Sequence, residues 1–274
     1  MKVLPFLVDF LIEHETIKFI AMNFWGYTLL LVSLFNCQSE ITHKTVFESS
    51  TLLHTIEGEK PDHTPWDDLL KEYVDEEGNV NYLGFKSDIK SLESYLKTLS
   101  DTPPSDSWGK NEKLAYHINL YNAATVKLIV DNYPTKSIKD IPNRWKKKWI
   151  IVGDTVTSLN DIEHEVLRKM DEPRIHFAIN CASYSCPKLL NSAFTPQNME
   201  RLLSKTAIDF VNDSKRNQFQ KGKAQLSKIF KWYKSDFTKN NTLLEYINLY
   251  LNNPINKKAS IGYLDYDWRL NEAN

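Results

Sequence analysis

The chain has 274 residues, 42% hydrophobic and 25% charged, enough for one large or two small domains with a packed core. Lys and Arg number 34 against 35 Asp and Glu, a net charge of −1, and without a cationic excess there is no argument for nucleic acid as a partner. The same composition excludes a disordered or collagen-like chain.

Phe19 to Cys37 is an apolar block without a charge, preceded by Lys18 and followed at once by polar Gln38-Ser39-Glu40. Residues 1–37 are therefore expected to be a signal or membrane-anchor segment, with 1–21 an extension upstream of an alternative start at Met22. The block resembles a bacterial lipoprotein signal: Leu34 stands three positions before Cys37, the residue that would carry the lipid, although Asn36 occupies a place usually held by a small residue. That resemblance implies an extracytoplasmic domain of the cell envelope, held to the membrane by its N-terminus. Residues 38–63 are expected to be a flexible tether and 64–274 a single globular domain.

Thr64-Pro65 with Asp67 and Asp68 signals a helix start, Thr64 being the expected N-cap. Ile89 to Leu99 has helical spacing of Leu92, Tyr95, Leu96 and Leu99, and Asn111 to Tyr133 is the longest periodic segment, ended by Pro134. This helix carries His117, Asn119 and Asn122 among apolar residues. Polar groups so placed must either tie loops together or line a site. Trp149 to Thr157 is a hairpin around Gly153-Asp154, and Ser158 opens a helix carrying Glu163, His164 and Arg168.

Arg174 to Asn180 is predicted to be a central strand, leading into a loop with Cys181 and Cys186. Gln197 to Val211 should be helical, Ala224 to Leu226 a strand, and Lys228 to Phe237 and Leu243 to Leu251 the last helices, before an aromatic tail at Tyr263, Tyr266 and Trp268. Runs of helix with few strands predict an α+β fold, predominantly helical around a small antiparallel sheet.

Five stretches in order, Tyr116–Ala123, Ser158–His164, Arg174–Pro187, Leu226–Tyr233 and Tyr266–Asn271, resemble the family catalogued as domain of unknown function 547. His117 stands where such proteins more often carry Trp. The resemblance implies a shared fold and no established activity. An Asn-bearing helix, a hairpin and a His-bearing strand are also similar in order to the layout of transglutaminase-like and papain-like thiol hydrolases, although here the helix carries no Cys.

Three chemistries compete for the Cys181 loop. In the first, Cys181 is the nucleophile of a hydrolase or acyl transferase, with His164 or His176 as base and Glu163, Asn119 or Asn122 orienting the imidazole. A regular strand would turn His176 and Cys181, five positions apart, to opposite faces, which favours His164. Asn119, Asn180, Ser183 and Cys186 would then line the substrate site, with the amides of Ser183 and Ser185 as oxyanion donors. In the second, His176, Cys181 and Cys186 hold zinc with His164 or Glu163. In the third, Cys181 and Cys186 form a disulfide in a non-catalytic envelope protein that binds a peptide, glycan or small molecule.

Overall fold

In the computed structural model, which describes residues 60–273, the chain opens with helices α1 (Thr64–Tyr73), α2 (Tyr82–Ser87) and α3 (Ile89–Asp101). His63, not Thr64, caps α1; its buried ring places Nδ1 2.8 Å from the Tyr95 hydroxyl, and the Thr64 amide donates to Asp62 Oδ1 at 2.9 Å. Asp62 and His63, assigned above to the tether, are thus folded into the domain. The apolar block at 19–37 and the tether up to residue 59 lie outside the described residues. Among the described residues no helix is long and apolar enough to cross a membrane.

Helices α2 and α3 pack on α4 (Lys110–Asp131), and α1 packs on both. Leu114, Ile118, Val126 and Ile129 of α4 are buried, but so are Tyr116, Leu120 and Ala124 on its other sides. A helix apolar all round belongs in the interior, and α4 is the axis of the larger of two hydrophobic cores. Glu112 accepts from the Gly109 amide at 2.6 Å to close its first turn, and Asn132 Nδ2 donates to Leu128 O at 2.8 Å at its end.

The predicted hairpin forms from β1 (Ile150–Val152) and β2 (Thr155–Thr157), with Gly153 at φ 55° in the turn. Ser158 Oγ then accepts from the Asp161 amide at 3.1 Å and starts α5 (Leu159–Asp161). This helix does not continue regularly: Ile162–Val166 is a π-helical turn and Leu167–Met170 a 3-10 turn. Wide turns of this kind recur at functional sites.

The largest departure from expectation is Arg174 to Asn180, which is not a strand. Ile175–Ala178 forms one helical turn, α6, followed by irregular backbone. A short apolar run buried on every side has no periodicity that separates helix from strand. Its buried backbone polar groups are satisfied by a side chain instead of a neighbouring strand: Asn122 Nδ2 donates to Ala178 O at 3.0 Å, and Asn122 Oδ1 accepts from the Asn180 amide at 2.8 Å. Without that strand, the order of elements shared with papain-like and transglutaminase-like folds is lost.

Beyond it come α7 (Met199–Asn212), β3 (Gln218–Gln220), β4 (Lys223–Leu226), α8 (Ile229–Trp232), α9 (Lys234–Phe237), α10 (Leu243–Asn248) and β5 (Ser260–Tyr263). Strand β4 pairs antiparallel with β3 and parallel with β5, so this sheet is mixed and lies apart from the hairpin. The fold is α+β, helical with small sheets. The helix expected over Lys228 to Phe237 breaks at Tyr233. Phe177 of α6 joins Phe210, Phe230 and Phe237 in the second core, its ring centroid 5.2 Å from that of Phe210 and 5.6 Å from that of Phe237. The stretch from Arg174 to Pro187 therefore runs along the seam between the two cores.

Candidate active site

A cavity of about 300 Å³ opens on that seam, lined by residues far apart in the chain: Tyr121, Glu163, His164, His176, Cys181, Cys186, Tyr233 and Tyr266 among them. The π turn delivers Glu163 and His164, α6 delivers His176, and the irregular loop after it delivers the cysteines.

Cys181 is partly exposed and Cys186 buried, and both are free thiols, so the disulfide expected in the binding-protein reading is not formed. Cys181 Sγ lies 3.0 Å from Ser183 Oγ and 3.2 Å from the Tyr266 hydroxyl, while its own amide donates to Cys186 Sγ at 2.9 Å. Donation from the Cys186 thiol, then from Ser183 and Tyr266, holds the Cys181 pKa below the usual thiol value despite burial. Burial pushes the Cys186 thiol and the Tyr266 hydroxyl well up. Cys181 is the more acidic thiol of the pair. Ala182 adopts φ 56°, the left-handed conformation that bends the loop back on itself.

The two histidines differ in which nitrogen is free. Arg168 Nη1 lies 2.9 Å from His164 Nδ1, and since a guanidinium only donates, that nitrogen accepts and Nε2 carries the proton. His176 is arranged the other way round. Its Nε2 donates to Asp236 Oδ2 at 2.8 Å, and its buried Nδ1 has no protein partner. The ring stacks on Tyr233 with centroids 3.9 Å apart and meets Phe237 edge-on. Burial lowers the His176 pKa, and Asp236 only partly offsets this. Asp236 also receives Arg168 Nε at 2.7 Å and Nη2 at 2.8 Å, contacts that hold its carboxyl far below the usual range. The argument from strand faces, which set His176 aside in favour of His164, falls with the strand.

Glu163 is buried, accepts from the Tyr121 hydroxyl at 3.2 Å on Oε2, and leaves Oε1 without a protein partner. It orients neither imidazole by a hydrogen bond. The asparagines are structural. Asn119 donates to Phe194 O at 2.7 Å and accepts from the Phe194 amide at 3.1 Å; Asn122 clamps Ala178 and Asn180; Asn180 donates to Pro187 O and accepts from the Ala182 amide, each at 2.7 Å. Their amides are spent on backbone, and none of the three lines the cavity. The Ser185 amide donates to Asp267 O at 3.2 Å and so is not free for an oxyanion. Ser183 is buried, its hydroxyl 2.9 Å from that of Tyr266. Among the described residues no group of three or more His, Cys, Asp or Glu is arranged to hold a metal ion.

Sequence reasoning missed Asp236, Tyr233, Tyr121 and Tyr266. Tyr121, Tyr233 and Tyr266 lie inside three of the five motif stretches, but only the fold brings them to one cavity. The C-terminal tail is the means: the Tyr184 amide donates to Arg269 O at 2.7 Å, the Asp267 amide to Ser185 Oγ at 2.9 Å, and the Val80 amide to Asn271 O at 2.8 Å. The tail is laced between the cysteine loop and the turn after α1.

Fold and cavity together define an α+β domain with a thiol and a carboxylate-held imidazole facing one pocket. Residues 105–211 are similar to the family described as "Protein of unknown function, DUF547", a match over less than half of the chain. The match takes in Glu163, His164, His176 and both cysteines, whereas Tyr233, Asp236 and Tyr266 lie beyond its end. No curated protein and no solved structure matches the chain.

Proposed function

We propose that this domain is a cysteine-dependent hydrolase or acyl transferase, with Cys181 as nucleophile and His176 as base. The observation that carries the reading is the pairing, in one cavity, of a thiol that accepts hydrogen bonds with an imidazole whose Nε2 is fixed by Asp236 and whose Nδ1 lone pair is free. We further propose that it works outside the cytoplasm, tethered to the membrane through Cys37.

The chemistry runs in two halves. Cys181 gives its proton to His176 Nδ1 and attacks an acyl carbon; the C–S bond forms while the carbonyl electron pair moves onto oxygen, where the Tyr266 hydroxyl is placed to donate. Collapse breaks the bond to the leaving group, which takes the proton back from the imidazolium. Water, or another acceptor, then gives a proton to Nδ1 and attacks the thioester; the C–S bond breaks, and the departing Cys181 sulfur takes that proton back from the imidazolium. Throughout, Asp236 keeps the proton on Nε2 and stabilises the imidazolium. Arg168 on His164 Nδ1 denies that ring the same role.

Incubation of the full chain with p-nitrophenyl acetate tests this. The acetyl group should be found by peptide mass spectrometry on Cys181, and its formation should slow about a hundredfold or more in His176→Ala. Acetylation confined to lysines, or a rate indifferent to Cys181→Ala, rules the mechanism out and leaves a non-catalytic binding domain.

A further inference from the structure

The cavity lining includes a carboxylic side chain that the acyl-transfer chemistry does not use. Glu163 is 7% exposed, its Oε2 is held by Tyr121, and Oε1 is buried without a protein partner in the wall of the same cavity. Burial, and next the Glu163 carboxylate beside it, push the Tyr233 hydroxyl pKa well up. The remaining wall is aromatic. Trp232, Tyr266 and Trp268 form one face, with Tyr266 and Trp268 centroids 4.5 Å apart and Trp232 and Tyr266 4.8 Å apart; Trp145 also lines the cavity. Arg168, a half-buried cation beside His164, is already paired with Asp236 on two bonds, and Lys146 sits exposed among the lining residues.

A buried carboxylate oxygen with no protein donor, set among indole and phenol faces, is the arrangement that recognises a cation: the carboxylate supplies charge and an acceptor, the ring faces supply their negative quadrupole. We infer that the cavity binds a primary ammonium group of the substrate, with Glu163 Oε1 as its acceptor and the aromatic wall around its alkyl stem. The inference rests on the proposed reading for the substrate's acyl half, but the ammonium subsite stands on Glu163 and the aromatic wall alone. In the reaction this group is either carried on the acyl donor or is the accepting amine. In the second case His176 Nδ1 takes the proton that the amine must lose before it attacks the thioester, and an amide replaces the carboxylate product.

Binding of n-pentylamine, an ammonium ion at pH 7, and of n-pentanol, its neutral counterpart, can be followed by tryptophan fluorescence of the full chain, since three indoles line the cavity. The amine should bind about tenfold more tightly than the alcohol, and Glu163→Gln should bring the two to parity. Because Glu163 is buried, the wild-type comparison of amine with alcohol stands as the primary test, independent of whether the variant folds. Equal affinity of the two in the wild type, no amine binding, or a preference that survives in folded Glu163→Gln each overturns the inference. None of these readouts depends on the thiol, so amine binding without acetylation of Cys181 would sink the proposed chemistry and leave the subsite, and the converse would sink only the subsite.

Discussion

His176 and Asp236, 60 positions apart, are joined by a hydrogen bond of 2.8 Å that also determines which nitrogen of the imidazole is left without a protein partner. Asp236 is held in turn by Arg168 on two bonds, so the carboxylate is shared between a cation that fixes it and a ring that it fixes. Asp236→Ala should therefore act on stability and on chemistry together. It strands Arg168 and frees the ring to rotate, at a cost of about 3 kcal/mol, the lower end for breaking a buried pair because this one is partly exposed. Urea unfolding reads the first effect and Cys181 acetylation the second. A loss of stability with acetylation unchanged would show that Asp236 braces the fold but does not position the base.

Acid should destabilise the domain well above the range of carboxylate titration. His63 and His117 are each lowered to about 4 by burial, and His176 is lowered for the same reason. A group whose pKa is depressed in the fold binds its proton more readily when unfolded, so stability is present above the unfolded value and is lost as pH falls below it. The window opens near 6.5, the ordinary value for His, and runs down towards about 4. Three such groups give a slope of at most about 4 kcal/mol per pH unit inside it. Asp236 adds a loss of the same sign only lower, below the usual carboxylate value near 3.8. Urea midpoints at pH 7, 6 and 5 check the prediction; a flat profile over that range would contradict it.

Asn119→Ala and Asn122→Ala should each cost about 2–4 kcal/mol, because each leaves a buried carbonyl and a buried amide unpaired in irregular backbone. The chemical consequences should differ. Asn122 shapes the segment between His176 and Cys181, so its loss should also slow acetylation, whereas Asn119 ties down Phe194, which lies outside the cavity lining. Equal effects of the two variants on acetylation would refute this division.

These asparagines show what sequence could and could not reveal. Their placement on an apolar helix announced buried polar work, and the reading that such side chains anchor irregular backbone was available from their chemistry alone. Long periodic helices such as α4 and the Gly153 hairpin were legible because period and turn chemistry are local. The four-residue turn carrying His176 was not: a short apolar run bounded by Pro173 and the cysteine loop suits strand and buried helix alike. Asp236 was invisible for another reason. It sits in a polar stretch of a predicted helix, and only the break at Tyr233 and the packing of α9 against α6 bring its carboxylate to an imidazole. The preference for His164 over His176 depended on strand geometry that the chain does not adopt, so spacing alone could not choose between the two imidazoles.

The two thiols should separate cleanly in reactivity. Cys181 accepts hydrogen bonds that stabilise its thiolate, the largest contribution coming from Cys186, whereas burial pushes Cys186 itself up. With iodoacetamide under native conditions, Cys181 should be carbamidomethylated first, with a pH–rate midpoint below the usual thiol value of 9.0, while Cys186 stays unmodified until the domain is unfolded. Removing a donor should raise the midpoint. Cys186→Ala is expected to shift it most and Tyr266→Phe less, because Tyr266 contributes after Cys186 and Ser183. Circular dichroism of each variant separates an electrostatic shift from a collapsed loop. Should Cys186 react first, or should the Cys181 midpoint in Cys186→Ala equal that of the wild type, the donation across this pair is not what activates the thiol, and the burden of lowering its pKa passes to the imidazole of His176.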